Sequence, residues 1–272
     1  MPSSVRLIDA GSLPFPGSQT IYHGLAHART ESTPDTLILA RPREPYVCIG
    51  FHQDREHELD LDYCRRNALP VLRRETGGGA VYLDPDQLFV IWVMGERSLP
   101  ERVEARFASF AEPLLASYRE LGIPAVSWPP GDVHVGDRKI SGSGAARIGN
   151  AEVVTGNFLC DLDSARMAGI LRARSEACRA EVERCMRRYM TSIRHELGRA
   201  PDARELVALY CQSFERARAT ELRPGKLLPD ELLAIQEAER RMLSPGFLGR
   251  PGGMRRRRIK IHAGVHVLES RR

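Results

Sequence analysis

Three consecutive glycines in the first third of the chain constrain its fold more than any other feature. Gly77, Gly78 and Gly79 follow two arginines, Arg73 and Arg74. Because glycine lacks a Cβ atom, this backbone can take positive φ angles or lie directly against a ligand. Its N–H groups can bind an anion, and a neighbouring arginine can bind a carboxylate or phosphate through two parallel hydrogen bonds. The same triplet also suits a hairpin or bulge, so by itself it leaves both interpretations open.

The surrounding sequence excludes two common nucleotide-binding loops. No Gly-Lys-Ser or Gly-Lys-Thr follows the glycines, as a Walker A loop requires. The glycines also lack the GxGxxG spacing that opens a helix in dinucleotide-binding proteins. Any phosphate site here must therefore be of another kind.

The composition and length describe one folded protein. The chain has 272 residues, of which 42% are hydrophobic and 28% charged. This is ordinary globular usage, and the length allows one large domain or a domain of about 200 residues with a small appendage. The apolar runs fall well short of the roughly 20 residues that a membrane helix needs, and the N-terminus lacks the features of a signal peptide. We therefore expect a cytoplasmic protein without a membrane partner.

The positive charge is concentrated at one end of the chain. The net charge is +5 at pH 7, which at first suggests a nucleic-acid partner. Residues 219–272 contain twelve basic and six acidic side chains, so this segment carries +6 and the rest of the chain −1. No aromatic or helical readout element accompanies the arginine run 255–258. We therefore expect no nucleic-acid partner.

The six cysteines form neither a metal-binding nor a disulfide pattern. They include no CxxC pair, and no histidine lies at ligand spacing from them. Those in strand-like or helix-like stretches are expected to be small buried side chains. This group consists of Cys48, Cys64, Cys160 and Cys211, whereas the roles of Cys178 and Cys185 stay open.

Strand and helix patterns alternate irregularly along the chain. Short or alternating apolar runs bounded by turn residues predict strands at residues 37–40, 46–50, 70–72, 87–93, 133–135, 138–141, 152–162 and 258–268. A 3.6-residue apolar period or a helix-start signal predicts helices at residues 59–67, 101–121, 201–214 and 229–243. This mixture favours an α+β fold with mixed or antiparallel sheets flanked by helices.

A second glycine-rich stretch, residues 131–145, carries the other chemically informative side chains. Lys139 directly precedes Ile-Ser-Gly-Ser-Gly, which places a cation beside backbone donors and hydroxyl groups. Such a group suits a substrate that develops negative charge on phosphate and carbonyl oxygens. Asp132 can hold a magnesium ion while phosphate oxygens complete the coordination. Considered alone, Lys139 also fits a solvated surface lysine.

In order and context, the two stretches resemble the lipoate-protein ligase family of the biotin/lipoate ligase and octanoyltransferase superfamily. Residues 73–84 match its Arg-Arg-x-Ser/Thr-Gly-Gly-Gly-Ala-Val signature, and residues 138–142 match its Lys-Ile/Val-Ser-Gly motif. Residues 46–53 resemble the strand and turn before a family helix. The resemblance covers about residues 37–162, with weaker similarity through the C-terminal helices.

This resemblance implies an enzyme that activates lipoate or octanoate with ATP and magnesium, then transfers the acyl group to a lysine of an acceptor lipoyl domain. Lys139 would be the catalytic residue, in contact with the reacting carboxylate and the α-phosphate. Asp132 would lie near magnesium and the phosphates. The other residues expected to bind the lipoyl or adenylate group are Arg73, Gly77, Gly78, Gly79, Val81, Ser141, Gly142, Ser143 and Ala145.

The resemblance also divides the chain into two parts. Residues 1–218 would form the ligase-like catalytic domain, and residues 219–272 a small basic accessory segment. In related ligases such a segment closes over the adenylate, and the acceptor domains are commonly acidic. The charge of the C-terminal segment is therefore expected to steer a protein partner. An edge strand with solvated arginines is the alternative for residues 255–265.

Three positions depart from the family pattern. Leu83 stands where many members carry histidine, and Gly131 stands where asparagine often precedes the aspartate. Residues 154–157, Val-Thr-Gly-Asn, replace a His-His-Gly-Thr-like turn. These differences affect how the acyl chain or the acceptor lysine would be held, but they leave Lys139 and the glycine triplet intact.

Three other functions are compatible with parts of the pattern. Octanoyltransferases of this superfamily carry the acyl group on a cysteine near the lysine, yet no cysteine lies between Cys64 and Cys160. Cys178 lacks the expected Pro-Cys-Gly setting. Biotin ligases carry a Gly-Arg-Gly-Arg type of loop, which differs from the sequence here. A non-catalytic carrier-protein binder of the same fold would not need Lys139, which is present.

Overall fold

The computed structural model describes residues 4–129, 131–253, 258–262 and 264–268. Its strands are β1 (Ser4–Leu13), β2 (Thr36–Pro42), β3 (Tyr46–Ile49), β4 (Val71–Arg73), β5 (Val81–Leu83), β6 (Gln87–Met94), β7 (Val126–Trp128), β8 (Asp132–Val135), β9 (Arg138–Ser141), β10 (Gly144–Ile148), β11 (Ala151–Leu159), β12 (Glu221–Pro224), β13 (Arg258–His262) and β14 (Val265–Leu268). Its helices are α1 (Gly17–Ala28), α2 (Arg55–Glu58), α3 (Leu61–Arg66), α4 (Val103–Glu120), α5 (Ser164–Ile170), α6 (Glu176–Tyr189), α7 (Ile193–Leu197), α8 (Ala203–Arg218), α9 (Pro229–Met242) and α10 (Pro245–Leu248). Within these ranges, no helix combines the length and apolar character needed to cross a membrane.

A six-stranded mixed sheet forms the centre of the protein. Its strand order is β10-β11-β6-β2-β1-β12. β1 runs parallel to β2 and β12, while the pairs β2–β6, β6–β11 and β10–β11 are antiparallel. Helices cover this sheet on both faces, which confirms the predicted α+β fold with mixed and antiparallel sheets.

Alternate residues of the central strands pack on opposite faces of this sheet, as the two-residue period of a strand requires. On one face, Trp92 of β6 packs against Phe110 of α4 and Phe214 of α8. On the other face, Ile91 belongs to the cluster that contains Ile21 of α1. Both faces are buried, so these strands consist of nearly continuous apolar residues.

Two smaller sheets carry the glycine-rich stretches. The order β4-β3-β5 pairs the strands on either side of the glycine triplet with β3, and the order β7-β8-β9 contains the lysine motif. The predicted strands in these regions are confirmed, as are the helices corresponding to α3, α4, α8 and α9. The elements that were not predicted are β1, α1, α2, β7, β10, α5, α6, α7, β12 and α10.

The boundary predicted at residues 218/219 does not coincide with a structural break. β12 forms the edge of the central sheet beside β1. α9 packs on α1 so closely that a Cβ atom on Gly24 would lie 2.5 Å from Ile235 Cα. An ion pair joins Arg6 to Glu231, and both side chains are buried. Residues 219–253 are therefore integral to the main fold, because they complete its sheet and cover α1.

The hairpin β13–β14 is a separate two-stranded sheet that packs on α6. Val267 joins the same apolar cluster as Val182 and Met186. Residues 255–257 of the predicted arginine run lie outside the described residues. The alternation predicted for residues 258–268 is confirmed as a hairpin with antiparallel register.

Candidate active site

A cavity of about 310 Å³ lies where the two glycine-rich stretches meet. The glycine loop, defined here as residues 74–80, forms one wall, and the lysine loop, residues 139–144, forms another. Helices α1 and α6 and strand β13 contribute further lining residues. A cavity of this size that brings polar groups together from several elements is a typical ligand site.

Arg74 fixes the conformation of the glycine loop by hydrogen bonds to its backbone. Its guanidinium group donates to the carbonyl oxygens of Gly77 at 2.8 Å and Gly79 at 2.9 Å. Gly78 has a φ of +98°, which a residue with a side chain rarely adopts. Arg74 and all three glycines line the cavity. The structure therefore places Gly77, Gly78 and Gly79 at the cavity, and their binding of a lipoyl or adenylate group stays a prediction.

Gly50 packs directly against the backbone of the glycine loop. A Cβ atom at this position would lie only 2.2 Å from the carbonyl oxygen of Gly78. The N–H group of Phe51 donates to the carbonyl of Thr76 at 3.0 Å. The end of β3 and the glycine loop are thus in direct backbone contact, which only glycine permits.

His23 anchors the outer side of the loop. This fully buried side chain donates from Nδ1 to the carbonyl of Gln19 at 2.7 Å, and its Nε2 accepts the N–H of Glu75 at 3.0 Å. Both ring nitrogens are used by the neutral tautomer, and burial lowers the pKa of His23 to about 3. The Glu75 carboxylate in turn contacts His27 and Arg241. Sequence reasoning missed His23, because only the packing of α1 on the loop reveals it.

The buried His23 predicts a loss of stability in mild acid. The native imidazole stays neutral down to about pH 3, whereas the unfolded one takes up a proton below its ordinary pKa of 6.5. The unfolded state therefore binds more protons in this window, and the free energy of unfolding falls as the pH falls. When the pH falls from 6.5 to 5.0, this difference in proton binding should lower the free energy of unfolding by about 2 kcal/mol.

Urea unfolding at those two pH values measures the effect. His23→Gln removes the titrating group but keeps an acceptor, and it should reduce the acid loss by about 2 kcal/mol relative to the unmodified protein. His134, whose pKa burial lowers to about 4, remains in both proteins and serves as a common background. Equal acid loss in the two proteins would contradict the assignment.

The position of Arg73 differs from the sequence prediction. This side chain is fully buried and does not line the cavity. It donates to the carbonyl oxygens of Phe51 at 2.9 Å and Gln53 at 2.5 Å, and to those of Leu248 at 3.1 Å and Arg250 at 2.7 Å. Arg73 therefore ties the turn after β3 to the segment after α10. Its neighbour Arg74 is the arginine that reaches the cavity.

The hairpin β8–β9 brings Asp132 and Lys139 together. Lys139 Nζ lies 2.9 Å from Asp132 Oδ1, and both side chains are largely shielded from solvent. Lys139 pairs with His134 across the hairpin, two residues beyond Asp132, so the two side chains are diagonal neighbours on one face. Both line the cavity, which excludes the solvated surface lysine as an interpretation.

Small residues make room for this ion pair. A Cβ atom on Gly142 would lie 2.8 Å from Lys139 Nζ. At Gly131 a Cβ atom would lie 2.5 Å from the ring of Phe107, which explains why glycine stands here in place of asparagine. Ser143 fixes the same region by donating its hydroxyl to the carbonyl of Gly131.

The remaining predicted residues divide into two groups. Val81, Ser141, Gly142 and Ser143 line the cavity as expected. Ala145 does not: it pairs with Val154 in the β10–β11 ladder and packs against the large apolar cluster. The strand alternation turns its side chain towards that cluster, which is why the motif alone misplaced it.

Several lining residues carried no signal in the sequence. They are Gln19 and Tyr22 of α1, Met186 of α6 and Met190. Lys260, Ile261 and His262 of β13 also line the cavity, in the C-terminal segment that the resemblance expects to close over the ligand. Long-range packing brings all of them to the cavity. β13 lies more than a hundred residues after the lysine motif, so its contribution depends on the tertiary fold.

The cavity has cationic and acidic parts. Arg74, Lys139 and Lys260 supply positive charge, whereas Asp84, Asp161 and Asp163 lie among the acidic lining residues. Burial, with the nearby carboxylates of Asp86 and Asp163, raises the pKa of Asp84 to about 6. The cationic groups suit a ligand with phosphate or carboxylate oxygens.

None of the six cysteines lines the cavity, and all six fall within the described residues. Cys160 lies between two lining residues, Leu159 and Asp161, but faces the apolar core. Burial raises its pKa to about 11, and burial also raises the pKa values of Cys48 and Cys185. These thiols are protonated at neutral pH, whereas a nucleophilic cysteine must be a thiolate.

Metal-binding capacity near Lys139 is limited to one carboxylate. Across the described parts of the chain, no group of three histidine, cysteine or acidic side chains could hold a metal ion. Magnesium, however, is commonly bound by one or two carboxylates together with substrate phosphates. Asp132 therefore fits a magnesium ion carried by a nucleotide, and does not fit a resident metal centre.

Comparison with known proteins adds sequence and fold relatives. The model of the lipoyl protein ligase A/B catalytic domain matches residues 21–215. Octanoyltransferase LipM of Symbiobacterium thermophilum is 30% identical over 258 residues, which cover 85% of this chain and 92% of LipM. A bipartite lipoate protein ligase of Thermoplasma acidophilum, described with its E2 lipoyl domain, has a TM-score of 0.79 at 22% identity and covers 92% of this chain and 97% of its own. A lipoate-protein ligase A bound with ATP has a TM-score of 0.76 at 21% identity, covering 92% and 99%.

Proposed function

Because the chain belongs to the lipoyl protein ligase A/B catalytic domain family, we propose that it is an ATP-dependent lipoate-protein ligase. In this proposal it activates lipoate or octanoate and transfers the acyl group to a lysine of an acceptor lipoyl domain. The observation that carries the proposal is the half-buried Lys139–Asp132 pair in a cavity without a cysteine. Such a site can stabilise negative charge but offers no thiol to carry an acyl group.

The proposed reaction has two steps. In the first, a carboxylate oxygen of the acid attacks the α-phosphorus of ATP, an O–P bond forms, and pyrophosphate leaves. In the second, the neutral amine of the acceptor lysine attacks the acyl carbonyl, an amide bond forms, and AMP leaves with the C–O bond electrons. Both steps build negative charge on oxygen, which the Lys139 ammonium group can stabilise.

The other lining residues have positioning roles in this proposal. The N–H groups of Gly77, Gly78 and Gly79 hold anionic oxygens, and the Arg74 guanidinium, which bonds the carbonyl oxygens of the loop, adds positive charge to this wall. Ser141, Gly142 and Ser143 lie along the nucleotide beside Lys139. A magnesium ion held by Asp132 and the phosphates would neutralise phosphate charge when bound. Holding the reactants in one geometry supplies much of the rate enhancement in such a transfer.

The acceptor is proposed to be a lipoyl domain. The basic excess of residues 219–272 favours an acidic protein surface. Part of this charge, at residues 255–257, lies outside the described residues, so its placement beside the cavity stays a prediction. The cytoplasmic location also stays a prediction.

A cysteine-dependent octanoyltransferase is the second candidate, and the similarity to LipM favours it. That reaction would transfer an octanoyl group from a carrier protein to a cysteine thiolate and then to the acceptor lysine, without ATP. Cys178 is one of the two partly exposed cysteines that the sequence left open, and it lies at the start of α6. It does not line the cavity.

Acyl transfer to an apo lipoyl domain distinguishes the two candidates. The ligase proposal predicts modification that needs ATP, releases pyrophosphate and uses free lipoate or octanoate. A variant with all six cysteines replaced by serine, or Cys178→Ala where that variant does not fold, should keep this activity within about threefold, because the thiols take no part. Modification from an octanoyl-carrier protein without ATP, abolished in the same variants, would support the transferase instead.

A further inference from the structure

Two amide side chains connect the walls of the cavity. Asn157 lies on β11 and Gln87 at the start of β6, and both line the cavity. In the antiparallel register Asn157 pairs with Phe89, so Gln87 is its diagonal neighbour on the same face of the sheet. Asn157 stands in the Val-Thr-Gly-Asn segment that departs from the family pattern. The function proposed above assigns no role to either amide.

The two amides form a series of hydrogen bonds in which each side-chain nitrogen donates towards Tyr82 and each side-chain oxygen accepts from the side of the lysine loop. Gln87 Nε2 donates to the carbonyl of Tyr82 at 2.9 Å, and Asn157 Nδ2 donates to Gln87 Oε1 at 3.2 Å. Asn157 Oδ1 then accepts from the N–H of Gly142 and the hydroxyl of Ser141, each at 3.4 Å. Because each amide has distinct donor and acceptor ends, Gln87 fixes which end of Asn157 faces the lysine loop. The carbonyl oxygen of Asn157 therefore faces Gly142.

Gly142 in turn lies directly against the Lys139 ammonium group, which Asp132 contacts at 2.9 Å. Lys139 Nζ packs so close to Gly142 that a Cβ atom there would be 2.8 Å away. A shift of the Gly142 backbone would therefore move the surface on which the ammonium group rests. The chain of contacts runs from Tyr82, beside the glycine loop, through both amides to Lys139, and so couples the two cavity walls.

We propose that Asn157, oriented by Gln87, is a positioning residue that sets the location of the Lys139 ammonium group. This inference rests on the proposed role of Lys139 in acyl activation. Asn157 acts through Gly142 and is not itself assigned a step in the chemistry. The structure also gives a reason for asparagine at this position: an amide can accept from Gly142 and donate to Gln87 at the same time.

The test compares Asn157→Ala, Gln87→Ala and the double variant in pyrophosphate release with saturating ATP. Asn157→Ala should lower kcat about 10- to 100-fold, because a displacement of about 1 Å at a reacting group has effects of this size. The KM for the acyl acid should change by less than about threefold, since the acid-binding groups remain. The double variant should lose no more than Asn157→Ala alone, because Gln87 acts only through Asn157.

Two further variants separate positioning from general damage. Asn157→Asp keeps the acceptor towards Gly142 but cannot donate to Gln87, so its kcat should lie between those of the unmodified protein and Asn157→Ala. Asn150→Ala removes a surface asparagine whose amide contacts the carbonyl of Arg29, and it should leave kcat unchanged. Melting temperatures of all variants report any loss of folding.

Three results would overturn the inference. They are a change confined to KM, additive losses in the double variant, and loss of kcat in Asn157→Ala no greater than in Asn150→Ala. Failure of the proposed function is visible separately, because the unmodified protein would then release no pyrophosphate. In that case the same variants are compared in acyl transfer from an octanoyl-carrier protein, where positioning of Lys139 predicts the same ranking.

Discussion

Replacing Lys139 with alanine is expected to lower the rate of acyl-adenylate formation by about 10³-fold, the upper range for losing one group that stabilises transition-state charge. The ammonium group is the cation paired with Asp132 in the cavity. Its removal also leaves the half-buried Asp132 carboxylate without this counter-charge, and the uncompensated carboxylate repels an incoming phosphate. Pyrophosphate release with lipoate or octanoate, measured under single-turnover conditions, reports this step without interference from transfer.

The chain offers a matched control for this substitution. It contains three lysines among forty basic residues, and Lys226 is exposed and does not line the cavity. Lys226→Ala should retain full activity. Lys139→Arg keeps the charge but replaces a compact ammonium group with a larger planar one, so it should recover little of the lost rate. Pyrophosphate release that is unchanged in Lys139→Ala would remove Lys139 from the mechanism.

Arg73→Met is expected to destabilise the fold by about 3 kcal/mol, because it leaves several buried carbonyl oxygens without a donor. The side chain is fully buried and bonds the turn after β3 and the segment after α10 at once. For a protein of this size the loss corresponds to a fall in Tm of roughly 6–12 °C. Differential scanning calorimetry measures it directly.

Arg74→Met provides the contrast. Arg74 lines the cavity and bonds the glycine loop, so its loss should raise the KM for the acyl acid about 10- to 100-fold, the range for removing a charge-assisted contact of 1.5–3 kcal/mol. Its effect on Tm should be smaller than that of Arg73→Met. If Arg73→Met and Arg74→Met changed Tm and KM to the same extent, the division of roles between the adjacent arginines would be wrong.

This pair of arginines shows where sequence reasoning reaches its limit. The motif predicts that an arginine beside the glycines contacts the ligand, but it does not say which one. Successive side chains at a strand end point to opposite sides. Arg73 is the last residue of β4 and points into the protein, whereas Arg74 points into the cavity. The same ambiguity misplaced Ala145, whose side chain packs on the apolar cluster.

The elements that the sequence predicted well have either an apolar stripe opposite a polar face or a short continuous apolar run. α4 has a regular apolar stripe, and β6 is a continuous buried strand. α1 was missed because nine of its twelve residues are buried and four of these nine are polar (Ser18, Gln19, Thr20 and His23), so polarity along the sequence does not mark a buried face. The helix is buried between the sheet and α9, so its pattern reflects the tertiary fold.

The site itself was predictable as far as its local motifs extend. The glycine triplet, Lys139 and Asp132 occur in recognisable short segments, and the structure brings them into one cavity. His23, Asn157 and β13 act through contacts between distant parts of the chain. Such contacts have no signature within a short stretch of sequence. The pairing of β12 with β1 likewise joins residues that are far apart along the chain, so no short stretch of sequence indicates it.

Intact-protein mass spectrometry tests the central claim most directly. The protein is incubated with octanoate, ATP and magnesium, or separately with an octanoyl-carrier protein, in the absence of an acceptor domain, and is then denatured. A ligase predicts an unmodified protein mass in both cases, with acyl-adenylate in the small-molecule fraction only when ATP is present. A covalent octanoyl adduct that forms without ATP and maps to a cysteine would contradict the account.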